Sequence, residues 1–334
     1  MSCRGIGRGL TAVASVAAVV VAAGVSTPAV AARAAAMGPM RAGCEWVPDV
    51  LALPPDTFHG QVSAGAGEWF AGVAGADGPN EAVRWRDGRV EPLGAAFGLD
   101  TKVTAVNDDG VVVGTVTGAD GDTHAIRNDG TGFERLPETG GTSLALDVNT
   151  RGDVLGHDGR RLVVWPAAGP PRFLALPPGE APYGYEAIDD DGTVAARLGY
   201  VAAGALRWRG HAWTPTGTRM PLPEGDVQDL RHGQIVGAMG SPDAVTSATG
   251  WRLHGGHRSY LGGGTAVALN EDGLVAGENP DGEPLLWNGV LPTPLTAPPD
   301  HDAPAVAAVN ATEVGGLAFP EDGDGSEPVR WRCR

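Results

Sequence analysis

The sequence is short of basic residues, and lysine is almost absent from it. The 334 residues include 24 Lys and Arg against 40 Asp and Glu, and Lys102 is the only lysine. The formal net charge of −16 would repel a phosphate backbone, so the composition argues against a nucleic-acid partner. Aromatic residues make up only 6% of the chain, but the apolar fraction of 42% suffices for a buried core.

Uninterrupted stretches that could form long helices are also scarce. The chain contains 52 Gly and 27 Pro, and these residues cost about 1 and 3 kcal/mol each in a helix interior. The composition therefore favours a fold rich in turns and short strands.

Sequence motifs of known catalytic and cofactor sites are missing. There is no Gly-x-Ser-x-Gly, P-loop or Rossmann fingerprint, and the eight histidines form no His-x-x-x-His pair. Acidic turns occur at 107–110, 189–192 and 271–273, but none has the ligand series of an EF-hand. Asn and Asp before Gly are typical of hairpin turns, and calcium binding is the alternative interpretation. We expect no catalytic residue, no cofactor and no metal site.

The N-terminus has the pattern of a secretory signal peptide. Arg4 and Arg8 precede an uncharged stretch at 9–25, and small residues follow at 29–31. We predict removal of residues 1–31, a linker at 32–43, and a secreted protein with one domain at 44–334. The apolar stretch is short and weakly hydrophobic, which argues against stable membrane insertion, although a retained anchor is the alternative.

Only three cysteines are present, and Cys3 belongs to the leader. Export to an oxidising compartment predicts a disulfide between Cys44 and Cys333, and two unpaired thiols are the alternative.

One pattern recurs from end to end and predicts a repeat fold. An apolar residue precedes a turn of Asn, Asp and Gly, then a β-branched run ending in Gly, most clearly at 105–114 and 268–277. Each copy closes on a tryptophan, with Asn128 in one slot and the others at Trp46, Trp85, Trp165, Trp208, Trp251, Trp287 and Trp331. The mean spacing of about 41 residues is that of a four-stranded propeller blade.

These repeats predict an all-β, seven-bladed β-propeller with antiparallel blades. The best copy divides into strands at 103–106, 111–117, 124–128 and 133–136. The last copy lacks a fourth strand, and the segment at 50–54 resembles one, so we expect the N-terminal strand to complete the last blade. Six or eight blades are the alternatives, because the first copy, at 63–72, lacks the Asn/Asp-Gly turn.

The two remaining cysteines favour a closed ring over an open stack. Seven stacked sheets would separate the chain ends by roughly 60 Å, whereas a disulfide requires Cα atoms within about 7 Å. We therefore expect Cys44 and Cys333 to close the ring.

The repeats resemble the extracellular HAF repeats of bacterial secreted proteins. The matching elements are the Asn/Asp-x-x-Gly-x-Val-x-Gly series and His-Ala-aromatic or similar segments at 124–126 and 211–213. The resemblance covers about residues 44–333 and implies a propeller-like domain, with no catalytic residues to transfer.

Loops between blades form the face on which propellers usually bind ligands. The loop residues that we single out are Asp56, His59, Glu180, Tyr183, Tyr185, Glu224, Asp226, His301 and Asp302. They support three interpretations: solvated acidic loops, a binding face, or an acid pair for glycoside cleavage.

We predict a secreted, monomeric, non-catalytic binding or scaffold module for an extracellular glycan or cell-surface protein. The alternative is a secreted hydrolase or lyase that acts on glycans through loop carboxylates such as Glu180 and Asp226.

Overall fold

The chain folds into four-stranded antiparallel sheets arranged as a β-propeller. The computed structural model describes residues 44–334 apart from 120, 221, 223–224, 240–248, 255–256, 289–291, 322 and 324. Within these residues there are seven such sheets, here called blades, and no α-helix. The predicted all-β class and four-stranded antiparallel blades are confirmed. The predicted leader and linker lie outside the described residues.

The strands follow one another blade by blade. The first strand, β1, spans Trp46–Val50 and belongs to the last blade. Blade 1 contains β2 His59–Ala66, β3 Trp69–Gly75, β4 Glu81–Arg86 and β5 Arg89–Gly94. A 3-10 turn, Ala96–Gly98, leads to blade 2, with β6 Thr101–Val106, β7 Val112–Thr117, β8 Thr123–Asn128 and β9 Phe133–Arg135. Blade 3 contains β10 Ser143–Val148, β11 Val154–Asp158, β12 Arg161–Trp165 and β13 Arg172–Phe173.

The second half of the chain repeats this order. Blade 4 contains β14 Ala181–Ile188, β15 Val194–Ala202, β16 Ala205–Trp213 and β17 Arg219–Met220. Blade 5 contains β18 Asp229–Arg231, β19 Gln234–Met239, β20 Thr249–His254 and β21 His257–Gly263. Blade 6 contains β22 Thr265–Leu269, β23 Val275–Glu278, β24 Pro284–Trp287 and β25 Pro292–Pro294. Blade 7 contains β26 His301–Val309, β27 Glu313–Pro320 and β28 Glu327–Cys333, with β1 as its fourth strand.

The hydrophobic core lies between neighbouring blades. Between blades 3 and 4, for example, Leu155 and Val164 pack with Ile188 and Trp213 in one buried cluster. Blade 7 packs against blade 1 in the same way, since Ala308 shares a cluster with Phe70 and other blade 1 residues. The blades therefore form a closed ring around a central channel, which the first strand of each blade lines.

Close approach of two strands explains the glycine that ends the β-branched run of each repeat. A Cβ atom on Gly114 would lie 2.0 Å from the carbonyl oxygen of Lys102 on the neighbouring first strand. Equally short distances, of 1.9–2.0 Å, occur at Gly72, Gly156, Gly277 and Gly316. No larger residue fits without moving the first strand. In blade 4 the corresponding residue is Ala196.

Three asparagines of the repeat turns, Asn107, Asn149 and Asn270, bond to their own blade and to the next. Asn107 Oδ1 accepts hydrogen bonds from the backbone N–H groups of Asp109 and Val111, which fixes the hairpin turn. Its Nδ2 donates to the carbonyl of Asn149 in the following blade at 2.9 Å. Asn149 and Asn270 donate in the same way to the carbonyls of Asp189 and Asn310.

Four tryptophans of the predicted series, Trp85, Trp165, Trp287 and Trp331, are buried in third strands, and the structure corrects the series at three positions. In blade 5 the corresponding residue is Leu253, which pairs with Ile235, whereas Trp251 pairs with Gly237. Trp85, Trp165 and Trp331 each donate an indole hydrogen bond to a backbone carbonyl in the loop before their own blade. In blade 4 this position belongs to Trp213, which is 0% exposed, and not to Trp208 as predicted. Trp46 lies in the outer strand β1, so its place in the series was also wrong.

The N-terminal strand completes the last blade, although at a different segment from the predicted one. The strand β1 spans 46–50 instead of 50–54 and pairs antiparallel with β28. The pairing ends at Leu51, whose N–H bonds the carbonyl of Pro328. The predicted disulfide between Cys44 and Cys333 is present, with Cα atoms 5.4 Å apart and 289 residues between them in sequence.

No helix among the described residues is long and apolar enough to cross a membrane.

Candidate functional site

The two faces of the ring carry different connections. We call one the loop face, because the interblade loops and the hairpins between second and third strands lie there. The other is the turn face, which carries the Asn/Asp-Gly turns. Exposed large apolar residues are numerous on the loop face, where the topology places Phe58, Phe97, Tyr183, Tyr185, Val201, Leu206 and Phe319.

Blade 4 differs from the other blades at the loop face. Its first strand, β14, has a bulge of three residues, because Pro182 pairs with Leu198 and Glu186 with Ala196. The three residues of the bulge, 183–185, therefore lie opposite Arg197 alone. Tyr183 and Tyr185 are each 42% exposed. This bulge occurs in the blade that has Ala196 in place of the repeat glycine.

The two strands of the hairpin after this bulge are also longer than the second and third strands of the other blades. The strands β15 and β16 have nine residues each and are joined by a two-residue turn at Ala203 and Gly204. Both turn residues have positive φ, which matches the right-handed twist of the paired strands. Val201 and Leu206 face each other beside this turn, and Val201 is 73% exposed.

Arg197 lies at the centre of an aromatic group on blade 4. Its guanidinium carbon is 4.1 Å from the centroid of the Tyr185 ring, and its Nε donates to the carbonyl of Tyr183 at 2.8 Å. Tyr183 stacks on the half-buried Trp208, with ring centroids 5.9 Å apart and planes 10° apart. We call Tyr183, Tyr185, Arg197 and Trp208 the blade 4 platform.

Asp226, a predicted site residue, supports this platform from the start of blade 5. Its Oδ2 accepts a hydrogen bond from Arg197 Nη1 at 2.9 Å, which joins the two blades. Burial raises the pKa of the Asp226 carboxyl, and the charge of Arg197 offsets only part of that effect. The charge of Arg197 is thus compensated by a carboxylate beside the platform.

Glu180, another predicted residue, is bound within blade 4. Its carboxylate forms a salt bridge with Arg209 and accepts a hydrogen bond from His211 at 2.8 Å. Burial would raise the pKa of Glu180, but the hydrogen bond from Arg209 and the charge of His211 lower it overall. Only 3% of the side chain is exposed. Arg209 and His211 therefore hold the Glu180 carboxylate in place.

Four predicted residues lie elsewhere on the loop face, on blades 1 and 7. Asp56 and Asp302 are exposed. His59 lies 3.1 Å from Asn80 Oδ1, and His301 is held between the Pro299 carbonyl and Glu327. Glu224, the remaining predicted residue, lies outside the described residues.

The structure thus brings three of the nine predicted residues together, namely Tyr183, Tyr185 and Asp226. Glu180 lies on the other side of the blade 4 sheet, because its partners Arg209 and His211 pair with Leu198 and Ala196, which pack against blade 3. Arg197 and Trp208 were not predicted to take part. Two sequence signals indicated them in retrospect: Ala196 replaces the repeat glycine, and blade 4 contains a second tryptophan, Trp213, five residues after Trp208.

Residues that could hold a metal ion occur on the turn face. Asp190, His232 and Glu271 come from three different blades, and one ligand atom of each lies within 4.8 Å of the other two. No metal-binding motif connects these residues in the sequence, because they lie about 40 residues apart.

Comparisons with known proteins give similar folds only. No family model and no curated protein matches the chain. The beta-propeller domain of Cps50 (Swd1) from Myceliophteria thermophila aligns over 83% of this chain and 98% of that chain, with 10% identity and a TM-score of 0.52.

The fold is that of a β-propeller. A puromycin-hydrolysing peptidase from Mycobacterium tuberculosis aligns over 85% of this chain with 14% identity and a TM-score of 0.51. This chain covers 54% of the length of that peptidase. YCF48 from Cyanidioschyzon merolae aligns over 85% of this chain and 98% of its own, with 12% identity and a TM-score of 0.47.

Proposed function

We propose that the protein is a secreted, monomeric, non-catalytic binding module that binds an extracellular glycan through the blade 4 platform. In this proposal it is a seven-bladed propeller related to HAF-repeat proteins. The observation that carries the proposal is the local departure of blade 4 from its own repeat, which places two tyrosines and a tryptophan around one arginine at the surface.

The chemistry of the platform suits a neutral sugar. Aromatic rings offer flat apolar surfaces for the C–H faces of sugar rings, and the arginine supplies hydrogen-bond donors for hydroxyl groups. Tyr, Trp and Arg are also the residues that most often dominate binding energy. The net charge of −16 and the pairing of Arg197 with Asp226 disfavour polyanionic glycans.

A glycan array probed with residues 32–334 tests the proposal. We expect retention on neutral glycans, and we expect Tyr185→Ala and Trp208→Ala each to weaken binding by about 5- to 30-fold. Phe319→Ala is the matched control, because it removes an exposed aromatic ring from the same face at blade 7. An equal loss in the control, or no change in the platform variants, contradicts the platform as the site. Retention on a protein ligand alone would replace the glycan by a protein partner.

Glycan hydrolysis or elimination by Glu180 and Asp226 remains the second hypothesis. The two pKa values shift in opposite directions, which is the pattern that an acid–base pair requires. Both carboxylates are, however, bonded to arginines and nearly buried. Incubation of each retained glycan with the wild type, Glu180→Gln and Asp226→Asn decides the matter: product formed by the wild type and lost in both variants would favour an enzyme.

Secretion is supported by the disulfide, because disulfides persist in oxidising compartments. N-terminal sequencing of the protein after export from a bacterial host tests the proposed processing. We expect a mature chain that begins at residue 32, and recovery of only the full-length protein inside the cells would contradict secretion.

A further inference from the structure

The central channel opens on the turn face in a cavity lined by acidic residues. This cavity has a volume of about 70 Å³, and a second cavity of about 120 Å³ lies deeper and shares Gly65, Arg231 and Val309 with it. Among the residues that line the two cavities, one is an arginine, Arg231, and seven carry carboxyl groups: Asp108, Asp147, Asp190, Glu186, Asp229, Glu271 and Asp272.

The arginine of the channel does not balance these acids. Arg231 Nη1 lies 3.1 Å from Asp147 Oδ2 and 3.8 Å from Asp229 Oδ1, so its charge is shared between two carboxylates of the deeper cavity. Asp190 and Glu271 lie at the mouth of the channel. Among the described residues, neither forms a salt bridge with a Lys or an Arg, and both lie near His232.

Within the described part of the chain, the deeper cavity also contains a carboxylate with one unpartnered oxygen, which adds to the negative charge of the channel. The side chain of Glu186 is 1% exposed, and its Oε1 is bound by His157 Nε2 at 3.1 Å. Its Oε2 is buried without a hydrogen-bond partner among the described residues. Burying a carboxylate oxygen unpaired is costly unless a positive charge lies near it.

Three side chains converge at the mouth at distances that suit ligands of one ion. His232 Nε2 lies 3.4 Å from Asp190 Oδ2 and 3.8 Å from Glu271 Oε1. Both distances exceed the usual length of an N–H···O hydrogen bond, which is about 2.9 Å. Ligands about 2.0–2.1 Å from a tetrahedral zinc ion lie roughly 3.3–3.4 Å apart, so a small ion fits between these atoms.

The surrounding groups hold the three ligands in place. The backbone N–H of Thr150 donates to Asp190 Oδ1 at 2.9 Å, and the other carboxylate oxygen, Oδ2, faces His232. The backbone N–H of His232 donates to Asp189 Oδ1 at 2.8 Å. Such outer contacts orient ligands in metal sites. The Asp108 carboxyl lines the same mouth and interacts with Glu271.

We propose that Asp190, His232 and Glu271 bind one divalent cation of the zinc class at the turn-face mouth of the channel. An imidazole together with carboxylates selects first-row transition ions and zinc over calcium, which prefers oxygen ligands alone. The ligands come from blades 4, 5 and 6, so the bound ion links three blades. The site is separate from the blade 4 platform, which lies on the opposite face.

Zinc titration of the metal-free protein tests the site. The full mature chain is treated with a chelator, exchanged into buffer, and titrated with zinc chloride in a calorimeter. We expect one equivalent to bind, and we expect Asp190→Asn and Glu271→Gln each to weaken binding at least tenfold. Asp272→Asn is the matched control, because it removes a carboxylate from the same cavity without removing a ligand, and its affinity should change less than threefold.

A third ligand variant distinguishes the loss of a ligand from misfolding of the protein. His232 has a φ of 47°, a conformation that asparagine tolerates better than most residues, so His232→Asn preserves the turn while it removes the imidazole. The Tm of each variant without metal is measured beside its affinity, and zinc should raise the Tm of the wild type and of Asp272→Asn only. Absence of saturable zinc binding to the wild type, or an equal loss in Asp272→Asn, overturns the proposal.

Discussion

Single side chains hold the blades together on the turn face. The amide of Asn149 can donate, and it bonds the carbonyl of Asp189 on the next blade. The carboxylate of Asp189 can only accept, and it receives the backbone N–H groups of His232 and Gly233 instead. Between Asn149 and Asp189, the choice of Asn or Asp therefore decides in which direction the hydrogen bond to the next blade runs. The hairpin turn alone predicts Asn or Asp at this position. The bond to the next blade could not be predicted from the turn, because it depends on how the blades are arranged in the ring.

His301 gives a prediction at the residue scale. Burial would lower its pKa, but the Pro299 carbonyl and Glu327 more than offset burial and raise it. A raised pKa in the folded state stabilises the fold at pH values below about 6.5, and this contribution disappears as the pH rises through the folded value. We therefore expect His301→Gln to lower the Tm at pH 5.5 by at least about 2 °C more than at pH 8.5.

Thermal unfolding of the wild type and variant at the two pH values provides the measurement. His257→Gln is the control, since His257 is exposed on the outer strand of blade 5. Equal Tm losses for His301→Gln at both pH values would show that the protonated imidazole contributes nothing.

Regular strands and specialised strands differ in how well the sequence predicts them. For blade 2, the predicted strands at 103–106, 111–117, 124–128 and 133–136 agree with β6–β9 to within two residues at each end. Alternation and turn residues define such strands locally. Blade 4 was predicted less well, because the bulge at 183–185 and the long hairpin shift Trp213 relative to the repeat. The predicted series therefore contained Trp208 in place of Trp213.

The repeat glycine gives a prediction at the scale of the strand pair. Gly114→Ala would place a Cβ 2.0 Å from the Lys102 carbonyl oxygen, and the first strand must move to relieve the clash. We expect a loss of about 1–3 kcal/mol in the free energy of unfolding, measured by urea denaturation. Gly78→Ala is the control, because its Cβ would meet nothing within 4 Å. Equal effects of the two substitutions would show that the strand pair adapts without cost.

At the scale of the whole molecule, the cysteines and the repeat predicted the closure of the ring. The convergence of Asp190, His232 and Glu271 was not predictable, because each lies in a separate turn whose local role is that of an ordinary hairpin. These side chains meet because the angle between neighbouring blades brings the turns of blades 4, 5 and 6 close together. No single repeat encodes that angle. The blade 4 platform likewise combines residues from two strands and an unforeseen bulge.

The disulfide gives a prediction for the intact ring. It closes a loop of 289 residues, which corresponds to a stabilisation of up to roughly 5 kcal/mol in the chain-entropy model. We expect Cys44→Ser to lower the Tm by about 5–15 °C under non-reducing conditions. Reduction of the wild type by dithiothreitol should give the same Tm as the variant, and an unchanged Tm in Cys44→Ser would contradict a stabilising role.

The position of β1 in blade 7 also determines when the molecule can finish folding. The ribosome makes β1 before the other described strands of the propeller and makes its partner β28 after all of them. Until β28 is made, β1 has no partner and blade 7 cannot form, so growing chains expose unpaired strand edges that favour aggregation. Loss of β28 would also remove the pairing that anchors β1. Completion of the first strand's blade therefore waits for the last strand of the propeller.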